Sequence, residues 1–307
     1  MVTAYISHPD CRLHHMGRHH PEQPARLAAI DDRLIASGLD AVLQHHRAEP
    51  VARSALVAAH EAAYVNEIFA RAPRDGVLWF DGETAMNEHS LRAALLAAGA
   101  LVMGVDLALA GEAARVFCAV RPPGHHAGRD RAMGFCFFNN VAVGAYHAIN
   151  AHGLSRVAIV DFDVHHGNGT EDIVAGDERV LFCSTFQHPF YPHSGAGSTA
   201  SNVVKVPLPQ GADGALFRQA VREHWLPRLA AFAPQLILVS AGFDAHRADP
   251  MAGLNLVEAD YAWVTRQLCR QSECSARGRI VSTLEGGYDL HALARSVEAH
   301  LKAFLGD

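Results

Sequence analysis

Short runs of apolar and β-branched residues recur along the chain at Thr3–Ser7, Arg115–Val120, Arg156–Val160, Val180–Ser184, Leu236–Ser240 and Arg279–Leu284. Most are apolar at both odd and even positions. Successive side chains of a strand point to opposite faces, so such runs predict strands covered on both sides, as in a parallel sheet. Helical patterns lie between them: Pro24–Ser37 closed by Gly38, Ser54–Phe69, Glu88–Ala110, Phe138–His152 closed by Gly153, Asp213–Phe232, Val257–Gln271 and Leu290–Leu305. Pro24 suits a first helical turn, and Pro227 is expected to kink or end its helix. Strands alternating with helices predict an α/β fold, a three-layer α/β/α sandwich around a mostly parallel sheet. Neither an internal repeat nor a Ser/Gly-rich linker interrupts the pattern, so residues 1–307 read as a single domain.

Composition narrows the function. Half of the 307 residues are hydrophobic, enough for a sizeable core, and the net charge of −6 argues against a nucleic-acid binder, which needs a basic face. Six cysteines without a CxxC pair read as reduced thiols of a cytoplasmic protein. The N-terminal Met1–Ser7 lacks a basic region before an apolar one and reads as a strand, not a signal peptide. The longest apolar run, Ala93–Val105, is short for a bilayer and predicts a buried helix, so no membrane association is expected.

The chemistry gathers where the predicted strands end. Asp161, Asp163 and His165 follow the third run at every second position and start on one face. Three such groups at the end of a buried strand are costly unless compensated, and a divalent metal is the simplest compensation. His125 and His126 follow the second run behind a rigid Pro122-Pro123-Gly124 lead, Asp244 follows the fifth, and Tyr288 follows the sixth after Gly286-Gly287. Ligands of open parallel sheets bind beyond the carboxyl ends of the strands, so all these residues are expected at one edge. Asp163, His165 and Asp244 read as ligands of one catalytic ion that keeps open positions. Zn²⁺ is the first choice; Fe²⁺ and Mn²⁺ suit the same oxygen-rich set. The blander reading of the cluster is a buried ion-pair network.

Asp161 is expected to pair with His125 and Asn168 with His126. An amide stabilises a protonated imidazole less than a carboxylate does, so His126 reads as the proton shuttle. The adjacent pairs His14-His15, His19-His20 and His45-His46 favour a plain loop reading of His125-His126; its Pro-Pro-Gly lead and place at a strand end set it apart, and His45-His46 reads as solvated surface. Tyr288 would donate to a developing oxyanion, against the alternative of a core tyrosine. Gly134 and Phe135 are expected to line an apolar slot, with Phe137 and Phe138 in the core and Phe190-Tyr191-Pro192 as the opposite wall.

RPPGHHA (121–127), GFCFFNN (134–140), VDFDVHHGNGT (160–170), SAGFDAH (240–246) and LEGGYDL (284–290) together resemble the zinc-dependent histone deacetylase family, and HHPEQPARL (19–27) resembles its N-terminal loop. The resemblance spans nearly the whole chain. It implies the arginase/deacetylase fold; Asp163, His165 and Asp244 as ligands of one Zn²⁺; His126 as general base and acid beside His125; and Tyr288 as the carbonyl-polarising group. It further implies Asp161 and Ser184 at a structural K⁺ site, and Gly134, Phe135 and Tyr191 along an acyl-lysine tunnel. Asn168 stands where class I members carry Asp, which is similar to class II, and Tyr288 separates the chain from the class IIa group. A catalytic domain without tails resembles the bacterial histone deacetylase-like amidohydrolases.

The resemblance implies an amidohydrolase that removes acetyl or other short acyl groups from lysine-like amines of a peptide or small molecule, with a homo-oligomer left open. Acetylpolyamine deacetylases share every catalytic motif. Polyamine-specific class II members carry an acidic gatekeeper where this chain has apolar Met251, which favours acyl-lysine. A non-catalytic acyl-lysine-binding protein would be expected to lack Tyr288 or a ligand, and none is missing. Two bridged metals of the arginase kind would need more aspartates.

Overall fold

The structure is a computed structural model that describes residues 2–197 and 200–307. Its strands are β1 (Thr3–Ser7), β2 (Gln44–Arg47), β3 (Val77–Trp79), β4 (Ala85–Asn87), β5 (Arg115–Cys118), β6 (Val157–Asp161), β7 (Val180–Gln187), β8 (Val203–Leu208), β9 (Leu236–Ala241) and β10 (Ile280–Leu284). Its helices are α1 (Ala25–Ser37), α2 (Arg53–Ala59), α3 (Ala62–Arg71), α4 (Ser90–Ala110), α5 (Asn140–Asn150), α6 (Asn168–Val174), α7 (Gly214–Ala220), α8 (Leu226–Phe232), α9 (Glu258–Ser275) and α10 (Leu290–Leu305).

Eight strands form one sheet in the order β2-β1-β5-β10-β9-β6-β7-β8, and every pairing in it is parallel. β3 and β4 make a separate antiparallel hairpin. Alternate side chains of β5 show the two covered faces. Cys118 meets the Ala100 carbonyl of α4, while Phe117 packs edge-on against His300 of α10. α4 and α5 thus lie on one face and α9 and α10 on the other, the three-layer sandwich that the doubly apolar strands imply.

The four strands whose ends carry the predicted chemistry, β5, β10, β9 and β6, are consecutive neighbours in the sheet. Adjacent strands lie about 4.8 Å apart, so their ends fall within roughly 15 Å of one another. That is what brings residues 125, 288, 244 and 163 together from distant parts of the chain.

Several elements differ from expectation. β2 and β8 are edge strands, and their polar content (Gln44-His45-His46-Arg47, Lys205, Pro207) hides them among loops while guarding the sheet edges. His45 is exposed, as expected, but on a strand. The expected helix 54–69 breaks into α2 and α3 at His60. Both residues of the break are extended, and the Glu61 N–H is given to the Arg129 carbonyl at 2.8 Å. The helix holding Pro227 continues by widening into a π-turn at Val221–Trp225, which absorbs the missing N–H of the proline. α6 and the hairpin were not expected at all.

α4 is longer than its apolar core run. Among the described residues it is the one helix long and apolar enough to cross a membrane, yet it packs inside the fold. Gly99 lets it press against the Glu49–Val51 backbone, and Gly104 lets it approach Val281 of β10.

Candidate active site

β6 stops at Asp161, two residues short of Asp163 and four short of His165, so strand pairing does not carry the alternation to them. Carboxylates continue the ladder instead. Asp161 Oδ1 accepts the Asp163 N–H at 3.1 Å, and Asp163 Oδ1 accepts the His165 N–H at 2.9 Å. Such side-chain turns hold an alternating arrangement without a partner strand, and Phe162 and Val164 are buried in the core. Asp244, just past β9, accepts the Val164 N–H on Oδ1 at 2.9 Å. His165 Nδ1 then lies 3.0 Å from Asp163 Oδ1 and 3.3 Å from Asp244 Oδ2. One donor atom from each of the three buried residues falls within 4.8 Å of the others.

This set suits a divalent ion. Asp244 Oδ2 is buried without a well-aligned hydrogen bond, with His165 Nδ1 3.3 Å away, and under-satisfying a buried charged group costs roughly 1–3 kcal/mol or more. Burial and the neighbouring Asp163 charge push the Asp244 carboxyl up to about 7. For Asp163, burial is outweighed by the His125 and His165 charges, and its carboxyl is held low. His165 is raised to about 10, because Asp163 and Asp244 outweigh its burial. Two crowded carboxylates with one under-satisfied oxygen call for a positive centre. Two oxygens and one nitrogen without cysteine are a donor set of the catalytic type. Glycines keep the room for it: a Cβ on Gly286 would stand 2.6 Å from Asp163 Oδ2 and nearer still to Asp244 Oδ2.

The His125-His126 loop hangs on buried Glu285, whose Oε2 accepts the Gly124 and His125 N–H groups at 2.7 and 3.2 Å while Oε1 accepts from Ser240 Oγ at 3.0 Å. His125 Nδ1 lies 2.9 Å from Asp161 Oδ2, and His126 Nδ1 lies 2.6 Å from Asn168 Oδ1, the two pairings expected. Their rings stand 4.0 Å apart. Burial disfavours charge on both. For His125, Asp163 and Asp161 reverse that effect and raise it well above the ordinary value. For His126, burial is reinforced by the His125 and His165 charges, and it is held well below. An amide oxygen only accepts, so His126 donates from Nδ1 and keeps the Nε2 lone pair free.

Tyr288 sits after Gly287, whose φ of 121° is open only to glycine, and its N–H is fixed by Asp249 Oδ2 at 2.6 Å. Arg26 donates to the Gly287 and Glu285 carbonyls at 2.7 and 2.5 Å, and its guanidinium lies 4.9 Å from the Tyr288 ring centre. Burial raises the Tyr288 phenol well above its ordinary value despite Arg26, so it remains a donor.

A pocket of about 150 Å³ opens onto these groups. Gly134, Phe135, Phe190, Tyr191 and Met251 line it together with His125, His126, His165 and Tyr288. A Cβ at Gly134 would run into the His126 ring, and Phe135 itself takes a positive φ of 70°. Phe137 and Phe138 are in the core, as expected. Ser184 pairs in register with Asp161 on β7, and its Oγ lies 3.4 Å from His166 Nδ1.

Three features of the site escaped the sequence reading. Glu83, from the β3–β4 hairpin, lines the pocket; nothing in its polar Asp81-Gly82-Glu83-Thr84 turn signals this. Glu22 buries its carboxylate between Arg26 at 3.2 Å and a two-pronged contact with Arg121; the i,i+4 spacing of Glu22 and Arg26 was the available clue. Glu285, at the end of a run apolar on both faces, was a charge in need of partners.

The chain is similar to known proteins along nearly its whole length. Residues 20–304 match the histone deacetylase domain. A 41% identical Synechocystis protein aligns over 99% of this chain and 100% of its own length. The histone deacetylase-like amidohydrolase of Pseudomonas aeruginosa is 37% identical, over 88% of this chain and 72% of its own. The crystal structure of the HDA15 HD domain superposes with a TM-score of 0.92 at 35% identity, covering 99% of this chain and 90% of that one. A parallel sheet with buried carboxylates, paired imidazoles and a phenol at one edge, and a match over nearly every residue, place this chain in the histone deacetylase family, whose members include deacetylases and amidohydrolases.

Proposed function

We propose that the chain is a Zn²⁺-dependent amidohydrolase that removes acetyl or other short acyl groups from lysine-like amines. The observation that carries the reading is the convergence of Asp163, His165 and Asp244, with the under-satisfied Asp244 Oδ2, beside a neutral His126 at the floor of an apolar pocket. Those three residues would hold the ion. When bound, Zn²⁺ supplies Lewis acidity that polarises the acyl carbonyl and makes water more acidic.

The chain's own residues do the rest. Phe135, Phe190 and Tyr191 take the acyl-amine stem and exclude water. His126 accepts the water proton on Nε2 and returns it to the leaving amine. His125, kept charged by Asp161, remains a fixed positive group beside it and is not the base. Tyr288 donates its hydroxyl hydrogen to the oxyanion. Asp161 and Ser184, register neighbours on β6 and β7, are proposed to hold K⁺ behind the site. Asn168 makes the site class II-like.

A second reading, acetylpolyamine deacetylation, draws on Glu83. Met251 offers no attraction to a distal ammonium group, but Glu83 places a carboxylate in the same pocket. Side-by-side kcat/KM on N-acetylputrescine and an acetyl-lysine peptide ranks the two.

The test of the main reading is acetate release from an acetyl-lysine peptide, blocked by a hydroxamate. The double change Asp163→Ala with Asp244→Ala is expected to remove both bound metal and activity; retention of both overturns the proposal.

A further inference from the structure

A second cluster of metal-ligating side chains lies away from the pocket. Asp106 sits near the end of α4, His147 in the last turn of α5, and His152 just beyond α5. The Nε2 atoms of both histidines lie 2.7 Å from the same oxygen, Asp106 Oδ1. The two rings stand 5.2 Å apart at 81°, so both nitrogens are aimed at one point from different directions. The three donor atoms fall within 4.8 Å of one another. Asp106 is 50% exposed and His152 33%, which leaves an open side for water.

We propose that Asp106, His147 and His152 form a surface site for a borderline divalent ion, Zn²⁺ or Ni²⁺ by class, that pins the end of α5 to α4. Two imidazoles and one carboxylate are the donors such ions prefer. Hydrogen bonding alone is a weak account of the convergence, because an exposed ion pair contributes only about 0–1 kcal/mol and two side chains must be ordered for it. Metal–ligand distances of about 2.0–2.1 Å set neighbouring tetrahedral donors roughly 3.3 Å apart. The cluster needs to open by about half an ångström to reach that, well within the freedom of exposed side chains.

The site is separate from the pocket. α5 begins beside the His125-His126 loop, where Asn139 caps it and donates to the Ala127 carbonyl at 3.1 Å. It ends at the cluster, 11 residues and thus about 16 Å away. An ion there does not touch the reacting atoms; it fixes the far end of the helix on which that loop rests.

The experiment strips the full chain with a chelator and titrates it calorimetrically with Zn²⁺, then with Ni²⁺, alongside Asp106→Asn/His152→Ala. Asparagine keeps a hydrogen-bond acceptor but is a poor ligand. The wild type is expected to take up one more equivalent than the variant, and added Ni²⁺ should raise its melting temperature further than it raises the variant's, which keeps only the Asp163, His165 and Asp244 set. Restored with catalytic metal, both should show equal hydrolytic activity, which also confirms that the variant folds. Equal uptake by the two chains overturns the proposal. A failure of the catalytic reading would change the total in both chains and leave the difference intact.

Discussion

Gly286→Ala isolates the dependence of the site on empty space. Gly286 has no positive φ, so alanine meets no backbone penalty. Its Cβ would, however, stand 2.6 Å from Asp163 Oδ2, about 0.8 Å inside the 3.4 Å of ordinary contact, and still closer to Asp244 Oδ2. The backbone has little room to retreat. The Gly286 N–H is bound to Asp163 Oδ2 at 2.8 Å, its carbonyl accepts from the Phe243 N–H at 2.9 Å, and Arg26 grips the carbonyls on both sides. The carboxylates must therefore turn aside by close to 1 Å. Misplacement on that scale costs on the order of 100-fold in rate, about 2.7 kcal/mol of transition-state stabilisation. We expect kcat/KM on an acetyl-lysine peptide to fall at least that far, with bound zinc per chain falling in parallel after dialysis and the melting temperature much less affected. A variant that keeps its zinc and stays within threefold of wild-type activity would refute the crowding argument.

Glu83→Gln is expected to lower kcat/KM on N-acetylputrescine by about tenfold relative to a neutral acyl amine, the effect of removing roughly 1.4 kcal/mol of charge attraction at a half-buried mouth; equal loss on both substrates would show that Glu83 does not read charge. Glu22→Gln leaves Arg26 and Arg121 buried with their shared counter-charge gone and is expected to cost about 3–5 kcal/mol in denaturant unfolding. Two buried histidines should each contribute a loss of stability in mild acid. Burial lowers His60 to about 4 and His300 to about 3, and each neutral ring already has both nitrogens engaged, His60 with Gly128 and Asn139, His300 with Thr265 and Ser282. The unfolded chain takes up these protons below about pH 6.5 while the folded chain refuses them, so the pair removes about 2–3 kcal/mol between pH 7 and 5.5. Unfolding curves at the two pH values, compared between wild type and His300→Gln, check this: the variant should lack about one proton's worth of the pH-dependent loss.

The sheet and its reactive edge were legible because their signals are local. β5, β6, β9 and β10 are apolar on both faces, and each ends in a residue that a core rejects: Arg121, Asp161, Asp244 and Glu285 follow within a few positions. The pairings of His125 with Asp161 and His126 with Asn168 followed from chemistry once both lay at one edge. What escaped depends on contacts between distant segments. Gln44–Arg47 is a strand only because β1 offers it an edge. The helix 54–69 breaks only because the 128–139 loop supplies partners for His60 and Glu61. Glu83 belongs to the pocket because a short hairpin folds over it, and no periodicity in its own neighbourhood records that.

Glu285 joins parts of the machine that the chain keeps far apart. Through Gly124, His125 and Ser240 it ties together the ends of β5, β9 and β10 from beneath, so the loop bearing the paired imidazoles and the segment bearing the phenol share one anchor. Neither can be tuned alone. Anyone redesigning this enzyme for a bulkier acyl group by shifting the tyrosine segment would drag the imidazole loop with it, and Met251, whose N–H is held at 3.0 Å by the Asp249 carboxylate that also fixes Tyr288, would move too, so useful variation is confined to the walls at Phe190 and Tyr191.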